Sequence, residues 1–191
     1  MQRTVTLAPE IGIAHLHLSK CYLHHKKPLL ALEIYNKAIK FNSRLKDMGY
    51  WIDIQDGLCN PLIKARLFDK AVAIYENVLK ELKSETSETF LNKYYILIVY
   101  KKMAEVYHKA GNLDKSIEIY EKALNIEEEK IMFGFITSQI VDIHRSLAKI
   151  FIEKGNYQKA GYHEKKADEL EWRKRLVMNF FLVGVPLSVQ V

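Results

Sequence analysis

Small and apolar side chains recur along this chain at spacings that predict pairs of packed helices. Four blocks align on a small residue, at Ala31, Ala71, Ser116 and Ala160. Four positions later the blocks have Tyr35, Tyr75, Tyr120 and Glu164. Three positions after that they have Ala38, Val78, Ala123 and Ala167. Because positions three and four apart share one face of a helix, each block predicts a helix with a small, closely packing face.

A second helix is predicted upstream of each of these anchor residues. Nine positions before the anchors lie Tyr22, Leu62, Tyr107 and Phe151. Thirteen and twelve positions before them lie Leu18–Ser19, Leu58–Cys59, Met103–Ala104 and Leu147–Ala148. Between the two helices, the segments KAGNLDK and EKGNYQK place Gly111 and Gly155 where a first helix must end and the chain reverse. Each block therefore predicts a helical hairpin.

These positions resemble the tetratricopeptide repeat, whose pattern of Leu, Gly, Tyr, Ala, Phe or Tyr, and Ala they follow. The third block, YKKMAEVYHKAGNLDKSIEIYEKALNI, fits best, and the second has Pro61 inside its first helix and Arg66 at the turn. The resemblance implies an all-α, right-handed solenoid of about four antiparallel hairpins in one domain, residues 1–175. The repeats are predicted at about residues 12–45, 52–86, 97–130 and 141–170.

Two departures from the family pattern predict long hairpins. Ser43, Lys83 and Glu128 stand where the family has its closing Pro, so the second helices can continue. The anchors lie 40, 45 and 44 residues apart, which the sequence shows directly, and the usual period is about 34. Long-period repeats of this kind resemble those of bacterial signalling and regulatory proteins, among them peptide-sensing regulators and sensor kinases.

The C-terminal segment, residues 176–191, has no charged residue and follows the basic run Arg173–Arg175. A membrane-spanning helix needs about 20 apolar residues, so this tail is short for one. Three interpretations stay open: the start of a membrane anchor, an altered terminus, or a helix from about Glu164 to Val183 that caps the last repeat. The capping helix would use a stripe at Trp172, Leu176, Phe180 and Val183.

The bulk composition fits a globular cytoplasmic protein. Hydrophobic residues make up 49% and charged residues 27% of the chain, which is not a disordered composition. Cys21 and Cys59 cannot form a disulfide framework, and no signal peptide is evident, so we expect a cytoplasmic location. The net charge is +6, but acidic and basic residues alternate along the predicted helical faces, as they do on ordinary solvated helices. We therefore expect no nucleic-acid partner.

The chain lacks the residue patterns of common active sites, so no enzymatic activity and no cofactor are expected. It contains no GxSxG, GxxxxGK[ST] or GxGxxG motif. The segment HEKKAD begins like HExxH at His163 but has Ala167 in place of the second His. His17, Cys21 and His24 share a helical face, yet without a CxxC or HxxxH pair they do not predict a metal site.

By the resemblance, the first helix of each hairpin lines a concave binding surface. The matching positions are Ile13, Leu16, Lys20 and Leu23; Asp53, Asp56, Asn60 and Ile63; Ile98, Lys101, Glu105 and His108; and Asp142, Arg145, Lys149 and Ile152. The polar candidates for binding are Lys20, Asp56, Asn60, Lys101, Glu105, His108, Arg145 and Lys149. Arg145 and Lys149 form the best predicted pair for a peptide carboxylate. The alternative is that these are solvated charges paired along their own helices.

The sequence thus predicts a non-enzymatic scaffold that binds a protein or peptide in its concave groove. An alternative is the sensor or regulatory part of a bacterial signalling protein, separated from its output domain. A structural scaffold that forms homo-oligomers is a third possibility. Contact with a membrane is expected only through the tail.

Overall fold

A computed structural model describes residues 2–41, 47–84, 90–126 and 135–183. These ranges contain helices and their turns, with no strand among them. The helices are α1 (Gln2–His24), α2 (Pro28–Phe41), α3 (Met48–Lys64), α4 (Phe68–Ser84), α5 (Phe90–Lys109), α6 (Leu113–Leu124), α7 (Phe135–Glu153) and α8 (Tyr157–Val183). The predicted all-α fold of repeated helical hairpins is confirmed.

The helices form two compact units, Met1–Thr86 and Ser87–Val191, which we call the N-terminal and C-terminal units. In the N-terminal unit α1 packs on α2 and α3 packs on α4, and α2 also contacts α3. In the C-terminal unit α5 packs on α6 and α7 packs on α8, while α7 also contacts both α5 and α6. Each unit therefore contains two of the predicted hairpins.

The two helices of a hairpin approach most closely at the small anchor residues. Ser19 donates a hydrogen bond from its hydroxyl to the carbonyl of Ala31 at 2.6 Å. In the third hairpin the direction reverses, and the Ser116 hydroxyl donates to the carbonyl of Ala104 at 2.8 Å. Only a small side chain lets a neighbouring backbone come this near, which explains the residue type at these positions.

All four hairpins turn through one residue in the left-handed region. Gly111 and Gly155 have φ of 79° and 72°, and Lys26 and Arg66 have φ of 57° and 59°. The backbone bonds are the same around each; for example, the N–H of Gly111 donates to the carbonyl of His108. This is a C-terminal helix cap, in which glycine is favoured and another residue costs about 1 kcal/mol. The first two turns therefore keep the family geometry without its glycine.

Tyrosines four positions after the anchors connect successive hairpins within each unit. The Tyr35 hydroxyl donates to the carbonyl of Asp47, the N-cap of α3, at 2.8 Å. Tyr120 of α6 likewise forms a hydrogen bond with Ser146 of α7, and burial raises the pKa of Tyr120 to about 12. The sequence pattern therefore marks contacts between hairpins as well as contacts inside them.

Helix α8 is longer than the repeat pattern predicts. It continues to Val183, so the predicted capping segment is an extension of the second helix of the fourth hairpin. The extension packs on α7, where the Lys174 ammonium lies 2.6 Å from the Ser138 hydroxyl oxygen. Trp172, the first residue of the predicted capping stripe, is 62% exposed. Phe180 and Val183 have side chains outside the described set, and residues 184–191 lie outside it entirely.

Among the helices described, none combines the length and the apolar character that crossing a bilayer would require.

Replacement by alanine is expected to change the free energy of unfolding in opposite directions at two helical glycines. A Cβ at Gly57 would lie 3.0 Å from both Leu23 Cδ1 and Pro28 Cβ, and the proline ring cannot move aside easily. We expect Gly57→Ala to lower the free energy of unfolding by about 1–2 kcal/mol through overpacking. A Cβ at Gly161 would meet no atom within 4 Å, so Gly161→Ala should raise that free energy by up to about 1 kcal/mol. Urea denaturation checks both, and a gain for Gly57→Ala would contradict the close approach.

Candidate functional site

A cavity of about 780 Å³ opens on the surface of the N-terminal unit. One side is the turn between α1 and α2, and the other is the last two thirds of α3. Its walls are Leu23, Lys26, Pro28, Asp53, Asp56, Gly57, Asn60, Pro61 and Lys64. Leu23, Asp53, Asp56 and Asn60 are predicted groove positions, so the structure brings together candidates from two successive first helices.

Both carboxylates and long basic side chains line the cavity. Asp56 accepts a hydrogen bond from the hydroxyl of buried Tyr75 at 2.7 Å, which holds the carboxylate in place. Burial and the Asp56 charge together raise the pKa of Tyr75 well above its ordinary value, so the phenol stays a donor. Lys26 follows the end of α1 and Lys64 lies in the last turn of α3, where a cation is favoured by the helix dipole.

Two other predicted groove positions in this unit have different surroundings. Lys20 is exposed, and its ammonium lies 5.4 Å from the centroid of the Tyr50 ring. Leu16 is half-buried and packs against the buried cluster that contains Ala31, Tyr35 and Ile54, as Leu23 also does, so its place in the groove stays a prediction. The repeat register alone does not separate these two cases, because a residue near the edge of a helical face can point either way.

In the C-terminal unit, two first helices are joined by side-chain contacts across their facing sides. The Lys101 ammonium lies 2.7 Å from Asp142 Oδ2 and also donates to Gln139 at 2.9 Å. His108 Nε2 lies 2.9 Å from Glu153 Oε2. The predicted residues Lys101 and His108 therefore connect α5 to α7. Each of these surface pairs contributes about 0–1 kcal/mol to stability. Their partners Gln139 and Glu153 were not predicted, because the pairing depends on the register between α5 and α7.

Arg145 and Lys149 differ from the simple anion-binding pair that the sequence predicts. The Arg145 guanidinium forms an ion pair with Glu171 of α8. Lys149 is exposed, and among the described residues it forms no ion pair. Glu171 lies just beyond the predicted end of the repeat, which is why the sequence pattern did not reveal this contact. Binding of an anion by Lys149 stays a prediction, and Arg145 would first have to leave Glu171.

Glu105 of α5 is half-buried. Its negative charge is among the causes that raise the pKa of Tyr120, after burial of the phenol. It is therefore close enough to α6 to act on a core residue, and its role in binding stays a prediction.

Two buried histidines, His144 and His163, lie in contact between α7 and α8. This pairing was not predicted from the sequence. His144 Nδ1 and His163 Nδ1 are 2.8 Å apart, so one ring donates and the other accepts. His163 also stacks on Phe151, with ring centroids 5.5 Å apart. Burial lowers the pKa of both rings, and that of His163 falls to about 4. No third ligand is near: across the described part of the chain, His, Cys, Asp and Glu form no group of three suited to a metal ion.

Comparison with solved structures shows the same fold over most of the chain. The crystal structure of MamA covers 92% of this chain and 86% of its own, with 20% identity and a TM-score of 0.56. BtubC (BKLC) from P. vanneervenii covers 96% of this chain and 70% of its own, with 18% identity and a TM-score of 0.61. A kinesin light chain from P. anserina with nearly identical TPR-like repeats covers 86% and 76%, with 14% identity and a TM-score of 0.54.

Comparison of the sequence with protein families and with known proteins finds a match to one family model and a distant relative. The tetratricopeptide repeat family model matches residues 99–130, which include most of α5 and all of α6. BBSome complex member BBS4 from Bos taurus is 28% identical over 133 residues, which are 70% of this chain. The match spans only 20% of the length of that relative. These matches identify a tetratricopeptide repeat at residues 99–130, and the described hairpins share one turn geometry and the fold of the solved TPR-like structures.

Proposed function

We propose that this chain is a non-enzymatic scaffold that binds a peptide or helical segment of a partner protein in the cavity of the N-terminal unit. The tetratricopeptide-repeat fold in general binds protein partners, on surfaces formed by consecutive repeats. The observation that carries the proposal is the cavity itself, whose walls include predicted groove positions from both α1 and α3.

The chemistry of the cavity favours a segment with both apolar and charged side chains. Leu23, Pro28 and Pro61 provide apolar contact, and Asp53 with Asp56 provides a place for one cationic side chain. Lys26 and Lys64, which also line the cavity, can meet a carboxylate of the same segment. A volume of about 780 Å³ holds a few side chains, so we expect a short stretch of the partner to supply most of the binding energy.

The distant relative supports a role in assembly. BBS4 is named as a member of the BBSome complex, so its own polypeptide works together with other proteins. A scaffold role for this chain is consistent with that name, although the match covers a fifth of the relative. Exposed Cys21 and buried Cys59 are both thiols and not disulfide-bonded, which supports the proposed cytoplasmic location.

The test uses peptides selected on the intact chain. A displayed library of random 16-residue peptides is selected on the immobilised protein, and enriched peptides are titrated calorimetrically. We expect Asn60→Arg, which fills the cavity from an exposed position, to weaken binding at least about tenfold, because the new side chain displaces the ligand.

Lys80→Glu is the matched control, because Lys80 is an exposed residue of α4 that does not line the cavity. It should leave the affinity within about twofold. Equal affinities for the wild type and Asn60→Arg, with unchanged helicity, would place the binding site elsewhere. The next surface to test would then be that of Lys149, by Lys149→Glu.

The role as sensor of a signalling protein rests on the long repeat period and stays a prediction. It requires that ligand binding change a second region, so its test is whether a selected peptide alters hydrogen exchange beyond the cavity. Exchange that changes only at the cavity walls would count against it.

A further inference from the structure

One face of α1 carries a stripe of apolar side chains in contact with solvent. Ile11 and Leu18 are 40% and 43% exposed, and Ala14 and Cys21 are exposed as well. The spacings of three, four and three place these four residues on one side of the helix. We call them the α1 stripe. The stripe is distinct from the cavity, to which α1 contributes Leu23.

Most of the same repeat positions are buried in the C-terminal unit. In α7 they are Ile140, Ile143, Leu147 and Ile150, all of them buried. In α5 the last three are Val99, Met103 and Val106, which are also buried. The residues of the α1 stripe are therefore apolar like the buried residues at these positions in α5 and α7, but they are exposed to solvent.

Helix α3 shows what covers such a position. Ile54 occupies the repeat position of Ala14 and is completely buried. It packs in a cluster with Ala31 and Tyr35, both from α2, the second helix of the preceding hairpin. Leu32 and Ile39 of α2 pack against the same cluster. A second helix with an apolar, Tyr, apolar face is thus the natural cover for this stripe.

Helix α8 does not offer that face. At the repeat positions of Leu32, Tyr35 and Ile39, α8 has Gly161, Glu164 and Asp168. These three residues are exposed. A second copy of the chain therefore cannot cover the α1 stripe with this face of α8, because doing so would bury two carboxylates against apolar side chains.

We propose that the α1 stripe docks the second helix of a tetratricopeptide-type hairpin that a partner protein supplies. The partner helix lies along α1 and presents an apolar, Tyr, apolar face like that of α2. Leu18 is at the centre of the contact, and Cys21 becomes shielded at its edge. The docking surface extends the stacking of repeats across two proteins and leaves the cavity of the N-terminal unit available to a second ligand.

The experiment supplies such a hairpin at high effective concentration. A copy of residues 90–125, the α5–α6 hairpin, is appended ahead of Met1 through a flexible Gly-Ser linker, which gives an effective concentration in the millimolar range. The rate of Cys21 alkylation is then measured, with buried Cys59 as the slowly reacting internal reference. We expect the appended hairpin to slow alkylation of Cys21 about tenfold or more, since Cys21 is exposed in the unextended chain.

The matched control changes only the face of the appended helix. The appended copy carries Ile117→Gly, Tyr120→Glu and Leu124→Asp, which reproduce the face of α8, and it should give no protection. Leu18→Lys in the receiving chain should also abolish protection, while leaving the melting temperature of the unextended chain unchanged because the stripe is uncovered there.

Three results would overturn the proposal. The first is equal protection by the native and the polar hairpin, which would mean that the linker shields Cys21. The second is an appended hairpin that leaves Cys21 fully reactive, whether or not it is helical, because its helices need to form only on docking. The third is protection of Cys21 from alkylation in the unextended chain, if this protection increases with protein concentration and is lost in Leu18→Lys. That result would mean that the α1 stripe mediates self-association.

Discussion

Tyr35→Ala is expected to be the most destabilising substitution in the N-terminal unit, lowering its free energy of unfolding by about 3–5 kcal/mol. Tyr35 is fully buried, and its ring meets that of Tyr50 edge to face with centroids 5.3 Å apart. Its hydroxyl both donates to the Asp47 carbonyl and accepts from the Asp47 N–H, each at 2.8 Å. The substitution removes a large core side chain and the link from α2 to the start of α3.

Two variants divide this effect into its parts. Tyr35→Phe keeps the ring and removes the hydroxyl, so it should cost only about 1–2 kcal/mol for the lost hydrogen bonds to Asp47. Tyr157→Ala is the matched control, because Tyr157 is 72% exposed and should change stability by less than about 0.5 kcal/mol. Urea denaturation followed by circular dichroism measures all three. A loss for Tyr35→Ala no larger than that for Tyr157→Ala would show that Tyr35 is not a core residue.

The buried histidine pair predicts that the C-terminal unit loses stability as the pH falls below about 6.5. Burial lowers the pKa of His144 and His163 in the folded state, so the unfolded chain binds protons first. The contribution is complete above the unfolded pKa of about 6.5 and decreases as the pH approaches the folded value of about 4 for His163. A charge on His144 would also face Lys166, and a charge on His163 would also face Lys159, so both lysines disfavour protonation in the folded state.

The measurement is the free energy of unfolding of the intact chain between pH 7.5 and 5, where most carboxyl groups stay ionised. His163→Asn keeps a polar side chain and removes one titrating ring, so its stability should depend less steeply on pH than that of the wild type. His24→Asn, at an exposed position outside the pair, is the control for the loss of one histidine. Identical slopes for His163→Asn and wild type would show that the pair does not set the pH dependence.

How far the sequence predicts this structure depends on whether a feature repeats. The contact of Ser19 with Ala31, the turn at Gly111 and the burial of Tyr120 all follow from positions that recur in several hairpins. A repeated local pattern predicts its own helix faces, because positions three and four apart must share a side. The hairpins were accordingly predicted correctly.

Features that occur once were not predicted. The ion pair of Arg145 with Glu171 requires α8 to continue beyond the repeat pattern, and the contact of Lys101 with Asp142 requires a particular register of α5 on α7. The hydrogen bond between His144 and His163 requires a histidine at the second of these positions, where the other three blocks have Ile34, Ile74 and Ile119. The contact of Leu16 with the buried cluster was not predicted for a similar reason, since it depends on how α1 is rotated against its neighbours.

The sequence by itself determined the class of protein, the number of hairpins and the close-packing faces, because these follow from helical periodicity and residue size. The tertiary structure alone decided which charged residues pair with each other, where the cavity lies, and that Ile11 and Leu18 are exposed although their counterparts in α7 are buried. The physical reason is that charge pairing, cavity shape and exposure depend on the neighbouring helix, whereas periodicity describes only the helix that carries it.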